Sequence, residues 1–412
     1  MAHRFVPRRR IAALAAAACA ASAEAQPWSY TRIADSNTLI PGTSSTFDTF
    51  NLPSIRGNVV GFAGFLDGLS EAGVYTGSGG ALTVVADRHT PGPGGPNFIG
   101  FFQATGVWPS IDVGLVAFHA GNGVHGGIML NSGGAITPVG TTGITVPNGT
   151  GGSFQTTSSP SLQNGRVAFA GGESGSGQRG VYSWQSGALS IIADKTTPIP
   201  GGPGTFTNFF EAALDGGQVM FQGSGAGGYN GLFLADKSGG ITRLYDTNTP
   251  IPGATGSFSG LSQSAFSDGR VVFYGQGSME GIYSDVSGQL EVIANHNTLV
   301  PGFPGLTFSG FGNSAIDGGV VAFTGLAPGG FLGVFSTHGG SLGKVLANGD
   351  MLDGRIVEDA FIGGQTLDGA SIAISVVFTN GSRGIYMATI PAPGPLALGI
   401  GAALAFAIRR RR

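Results

Sequence analysis

The 412-residue chain carries 76 Gly and only 10% charged residues, whereas an average domain has roughly 7% Gly and about 25% charged, so this chain turns often and solvates sparingly. Its 41% hydrophobic content is too high for a disordered polymer, which needs low hydrophobicity and high net charge. The formal net charge of −3 hides an acidic body: without the four Arg and one Glu of the first 25 residues and the four C-terminal Arg, 12 basic and 22 acidic residues remain, a net of −10, which argues against nucleic-acid binding.

Residues 1–25 read as a secretory signal peptide. Arg8, Arg9 and Arg10 form the basic region, residues 11–20 a short apolar segment, and Ala23-Glu24-Ala25 a small-x-small cleavage pattern that would leave Gln26 as the new N-terminus. Two alternatives are weaker. A membrane anchor needs a longer apolar run, and Cys19 as a lipid acceptor would follow a poor lipobox, Ala16-Ala17-Ala18. Cys19 is the only cysteine, so the processed body would hold neither a disulfide nor a thiolate site.

From residue 26 to residue 390 one plan recurs. Residues 257–302 show it best. An apolar-spaced run from Phe258 to Phe266 ends at Ser267-Asp268-Gly269. Val271 to Tyr274 follows, then a Gly-rich turn, then Gly281-Ile282-Tyr283, a second turn, and a run with Leu290, Val292 and Ile293. Runs of β-branched and aromatic residues between Gly, Asp, Asn and Pro predict antiparallel hairpins. Three anchors march together. The third run opens on Gly73, Gly127, Gly180, Gly231, Gly281, Gly333 and Gly384, at spacings of 54, 53, 51, 50, 52 and 51. The second run ends in Phe62, Phe118, Phe169, Phe221, Phe273, Phe323 and Ile374. The fourth ends at Val85, Val139, Ile192, Leu244, Ile293 and Val345.

That last anchor has six copies against seven of the others. The seventh unit stops after Ile385-Tyr386-Met387, while Ser29 to Ile33 precede Ala34-Asp35 just as Leu82 to Val85 precede Ala86-Asp87. An N-terminal strand that completes the last unit would close a ring and remove exposed sheet edges. The expected fold is therefore all-β: a seven-bladed β-propeller of four-stranded, ~52-residue repeats closed by the N-terminal strand, with a β-solenoid as the alternative.

Between repeats lies a shared loop, Asp/Asn-x-x-Thr-x-x-Pro-Gly, headed by Asp35, Asp87, Asp194, Asp246 and Asn295. A ring of these side chains on one face is a candidate Ca²⁺ or sugar-hydroxyl site. The favoured reading is an Asx-turn, because a turn-holding residue recurs in every repeat whereas a site is usually built once. Thr141 and Ala347 interrupt the set. No other metal or cofactor is expected. A second recurrent acid, at Asp215, Asp268, Asp317 and Asp368, precedes Gly and matches hairpin-turn chemistry, as does Asn164-Gly165. Ser267-Asp268-Gly269 before Val271-Val272-Phe273 resembles the turn of TolB-type propeller repeats, without its Pro, and faintly a sialidase Asp-box, without its Trp.

His119 and His125 stand six apart across a Gly-rich turn, which is not the spacing of a helical zinc pair. Trp28, Trp108 and Trp184 are candidate sugar-stacking residues, though inter-sheet packing accounts for each more simply. Acids and bases outside the repeat pattern are Glu71, Glu173, Arg179, Glu211, Glu280, Glu358 and Asp359.

After residue 390 come Pro391-Ala392-Pro393-Gly394-Pro395, a 13-residue apolar run over 396–408, and four Arg. Proline motif, hydrophobic helix and basic end in that order resemble the PEP-CTERM sorting tail of exosortase-processed bacterial surface proteins, with Ala392 where that family has Glu. The resemblance implies an exosortase-like processing enzyme acting at Pro391, Ala392 and Pro393. It also implies transient or permanent attachment to the inner membrane, and an exported body associated with extracellular polymer. The four Arg fit a cytoplasmic stop. The expected function is a non-catalytic envelope or matrix protein that binds polysaccharide or a surface protein. The alternative is a propeller-type glycan hydrolase or lyase, which needs carboxylates converging at the central channel.

Overall fold

A computed structural model describes residues 28–66, 71–101, 108–328 and 331–390. Seven antiparallel sheets follow one another around a ring. In the repeat from Gly260, the strands are Gly260–Ser267, Arg270–Gln276, Gly281–Ser284 and Glu291–Asn295, each paired with the next. Phe258 lies just outside the first strand, in the loop bridged by Pro250 and Ser257. It is nevertheless buried, with its ring 5.5 Å from that of Phe273 and 4.9 Å from that of Tyr283. Equivalent aromatic triads recur, as in Phe154, Phe169 and Tyr182 or Phe308, Phe323 and Phe335. The second-strand aromatics are therefore inter-blade keystones.

Seven apolar clusters form the core, and each joins neighbouring sheets. The cluster of Ile33, Phe47, Phe62 and Ile385 joins the last blade to the first. The ring closes as the repeat pattern predicts: Ser29–Asp35 runs antiparallel to Arg383–Thr389, with Ser29 opposite Thr389 and Asp35 opposite Gly384. This pairing is a closed-ring feature that a linear solenoid lacks.

The third sequence anchor marks a β-bulge. Every pairing of third and fourth strands skips one residue of the fourth: Val85, Val139, Ile192, Leu244, Ile293 and Val345. In the closing pair the skipped residue is Ile33, the seventh copy, supplied from the other end of the chain. The bulge tightens local twist and sits beside the anchor glycines. A Cβ on Gly281 would lie 2.4 Å from the carbonyl oxygen of Ala294, which explains why only Gly opens the third strand there.

The leader at 1–25, and the tail at 391–412 with its expected helix, fall outside the described residues. Among the described residues the sole helical element is a single 3-10 turn at Ala226–Gly228, and no helix is long and apolar enough to cross a membrane.

Candidate functional site: the central channel

The first strand of each blade lines the channel, and it is irregular in every blade. In blades four to six it is continuous but bulged. Pairing skips residues between Phe209 and Ala212, between Ser262 and Ala265, and between Phe311 and Ser314. In blades one to three it breaks into two pieces, such as Thr156–Thr157 and Ser161–Gln163, and in blade seven Arg355–Phe361 is followed by Leu367–Asp368. Bulges redirect side chains and occur beside functional sites. Here the irregular residues face one cavity of about 380 Å³ to which all seven blades contribute, a size within the usual range for small-molecule sites.

Glu211 and Trp108 are the chemically distinctive lining residues. Glu211 belongs to the bulge of the fourth blade. Burial pushes its carboxyl up to about 7, against the lowering effect of the backbone N–H groups of Gln263 and Ser264 and the Ser264 hydroxyl. Trp108 packs beside Gly363 and Gly364, and its buried indole Nε1 has no acceptor among the described residues. The segment carrying those glycines crosses the channel: Gln365 Nε2 donates to the Pro160 carbonyl at 3.3 Å, two blades beyond its neighbour. Asn313 Nδ2 donates to the Ile362 carbonyl at 3.1 Å.

Where the first strands end, a ring of side chains links all seven blades. The equivalent positions, in blade order, are Arg56, Asp112, Gln163, Asp215, Ser267, Asp317 and Asp368. Blades one, three and five donate. Arg56 lies 3.8 Å from Asp112, Gln163 Nε2 donates to Asp215 at 2.7 Å, and Ser267 Oγ donates to Asp317 at 3.2 Å. The second oxygen of each aspartate accepts a backbone N–H from the next blade's turn: Asn164 to Asp112 at 2.6 Å, Asp268 to Asp215 at 2.7 Å, Gly369 to Asp317 at 2.7 Å and Gly57 to Asp368 at 2.7 Å. Strict alternation cannot close on an odd number. Two acceptors, Asp317 and Asp368, fall side by side, and Arg56 completes the circuit by also approaching Asp368 at 3.6 Å.

This geometry corrects the register of the second recurrent acid. Asp215, Asp317 and Asp368 end their strands, whereas Asp268 is the turn residue itself, with φ 51°, equivalent to Asn164 at the same φ. Asp112 is the missing member. It escaped the sequence pattern because Val113, not Gly, follows it. The acids are thus inter-blade latches, a role beyond hairpin chemistry.

The loop acids behave as Asx-turns. Asp35 accepts the N–H of Asn37 at 3.0 Å and the Thr38 hydroxyl at 3.1 Å. Asp87, Asp194, Asp246 and Asn295 repeat the same bonds to the residues two and three further on. At Asp194 burial pushes the carboxyl up, but the bonds from Thr196, Asn148 and Thr197 outweigh it and hold it low. At Asp246 burial acts the same way and is outweighed by Tyr229, Asn248, Arg243 and Thr249. In the sixth loop the carboxylate moves three places on, and Ala347 N–H donates to Asp350 at 2.9 Å. These acids occupy separate loops, and among the described residues no group of three His, Cys, Asp or Glu is placed to hold a metal.

The other sequence candidates disperse. Glu173 is buried, holding the turn at Thr150 and Gly152. Glu71 pairs with His89, Arg179 with Asn208, and Glu280 accepts from Tyr274. Glu358 is exposed and Asp359 half-buried on the strand Arg355–Phe361. Trp184 packs between sheets, and Trp28 packs against the core joining the last two blades. His119, buried, meets Thr157 at 2.9 Å, and His125 meets Thr141 at 3.2 Å, so the two do not converge on one site. Pro391, Ala392 and Pro393 lie outside the described residues. Of the irregular acids, Glu211 alone lines the channel.

Residues 11–396 match the model of a family of unknown function, DUF7453, and the chain belongs to that family. No curated protein matches it in sequence. Among solved structures, the chain is similar to a puromycin-hydrolyzing peptidase of Mycobacterium tuberculosis, at 12% identity and a TM-score of 0.46 over 86% of this chain and 55% of that one. It thus spans about half the length of that peptidase. It is similar to the polysaccharide lyase Uly1 at 10% identity and a TM-score of 0.47, over 89% of this chain and 99% of the other. The Cps50 (Swd1) β-propeller domain of Myceliophteria thermophila gives 11% identity and a TM-score of 0.41, over 84% and 99%.

Proposed function

We propose that this protein is an exported, non-catalytic recognition ring that binds saccharide of the cell envelope or extracellular matrix in its central channel. In this reading residues 1–25 direct export and the 391–412 tail sorts or anchors the body, as its order of motifs suggests. The observation that carries the binding reading is the shared irregularity of the first strands. Seven strands give up regular pairing at one level and turn Glu211, Ser264, Asn313 and Trp108 toward one cavity. Nothing in the repeat plan requires this, since the second and third strands pair without a break in register in every blade and the outer bulge falls at the same place each time.

The test is a panel of neutral, basic and acidic polysaccharides offered to the full-length protein and to its Trp108→Ala variant. Saturable retention of one class by the wild type, and its loss in the variant, is the expected result. Retention indifferent to Trp108 moves the site out of the channel, and retention of none removes the saccharide reading.

One observation favours a catalytic second reading. A carboxyl that titrates near 7 in a channel is tuned for proton transfer at neutral pH. The next acid on its strand, Asp215, has both oxygens held by the latch ring, so Glu211, itself bonded by Gln263 and Ser264, has no second carboxylate to work with, which suits a single-base lyase more than a two-carboxylate hydrolase. Release of new reducing ends from the retained polysaccharide would establish this reading in place of the first.

A further inference from the structure

The charge and hydrogen-bond inventory of the channel points to the ligand's chemistry. Among the described residues four carboxyl groups line it, those of Asp112, Glu211, Asp215 and Asp317, with Glu211 ionising as pH passes about 7, against one guanidinium, that of Arg56. That guanidinium is held between Asp112 and Asp368. The side-chain amides present themselves the same way round. Gln163, Asn313 and Gln365 each commit an N–H to a protein acceptor, and their carbonyl oxygens remain for a guest. Ser267 likewise gives its hydrogen to Asp317. The lining therefore offers acceptors and negative charge within one concave cavity, where the field of like charges is concentrated. The exception is a donor: Trp108 Nε1, buried without a partner among the described residues. An orphaned buried donor costs free energy unless a guest accepts from it.

A guest that satisfies both halves carries ammonium or hydroxyl donors for the acidic wall and at least one hydroxyl oxygen for the indole. Its apolar face can also lie on the Trp108 ring, where a cation gains further attraction. An anionic guest faces these acids, and among the described residues the one lining cation, Arg56, is already paired. We propose that the channel is selective for saccharides bearing free amino groups and rejects uronic and sulfated ones; this rests on the saccharide-binding reading above.

The test is calorimetric titration of the full-length protein with three tetramers of one length at one ionic strength: glucosamine, glucose and galacturonate. The expected order is glucosamine tighter than glucose by about tenfold, with galacturonate unbound. Glu211→Gln is expected to erase most of the glucosamine advantage, read as the ratio of the glucosamine to the glucose dissociation constant in the same variant. Trp108→Phe keeps the ring, removes the donor, and should weaken both bound sugars alike, so the inference does not depend on one variant folding. Galacturonate bound as well as glucose, or glucosamine and glucose bound equally, overturns the charge selectivity and leaves the saccharide reading standing. No tetramer bound overturns both.

Discussion

At the scale of single residues, Glu211 and His119, whose shifts fall at acid to neutral pH, pull stability in opposite directions. Burial raises the Glu211 carboxyl to about 7. Between its unfolded value and 7 the folded state holds a proton that the unfolded chain has lost, so this contribution to stability is lost as pH rises through that window. His119 is the converse case: burial lowers its imidazole to about 4, so its contribution is full above the ordinary His range and is lost as pH falls toward 4. Only the difference between wild type and variant isolates either group. Glu211→Gln keeps an acceptor for the N–H groups of Gln263 and Ser264. It should raise stability at pH 8 relative to pH 5 by up to about 3 kcal/mol more than wild type changes, read from denaturant midpoints. No difference in pH slope between the two proteins would show that Glu211 is ionised at its ordinary pKa. Arg56 offers a second residue-scale prediction. Arg56→Leu leaves Asp112 and Asp368 without their shared cation. Because the guanidinium is 43% exposed, the expected loss is small, about 0.5–1 kcal/mol, and it should shrink in high salt.

At the scale of elements, the repeated unit is a four-stranded sheet with a bulged outer edge and an aromatic keystone. Phe273 is fully buried, and Phe273→Ala should cost about 3–5 kcal/mol. Gly281→Ala forces a Cβ to within 2.4 Å of the Ala294 carbonyl and should cost about 1–3 kcal/mol by overpacking. Gly80→Ala, with nothing within 4 Å of its Cβ, is the matched control and should leave the midpoint unchanged. Equal effects of the two substitutions would contradict the bulge as the reason for the anchor glycine. These elements were legible in the sequence because packing imposes periodic residue types: Phe at the keystone, Gly beside the bulge, Asp and Thr in the loop. The channel was not. Glu211, Asn313 and Trp108 are aligned by position and share no residue type, and bulges shift them out of simple alternation. The latch ring stayed hidden for a related reason. Donors and acceptors alternate at equivalent positions, so no single residue type repeats, and the Asp-Gly pattern captured Asp268, one place out of register, while missing Asp112.

At the scale of the whole molecule, closure by Ser29–Asp35 couples the first residues described to the last. Asp35 receives Arg355 at 3.0 Å, and Arg355 also reaches the Tyr386 hydroxyl at 2.6 Å, so the closing strand is latched by charge as well as by its ladder. Deleting residues 26–33 removes most of the ladder, all but the pairs of Ala34 and Asp35, together with Ile33, and opens a sheet edge. The expected outcome is a markedly lower unfolding midpoint for the entire ring. A midpoint equal to that of wild type would show that the blades stand without closure.

The claim that the channel is the recognition site is tested most directly by the fluorescence of Trp108. Full-length wild type and Trp108→Phe would be titrated with the tightest-binding saccharide, and the difference between the two emission curves isolates the indole in the channel from Trp28 and Trp184. The account predicts a difference signal that saturates with the dissociation constant measured by calorimetry. Saturable binding with no change in the Trp108 signal would place the saccharide elsewhere on the ring and contradict it.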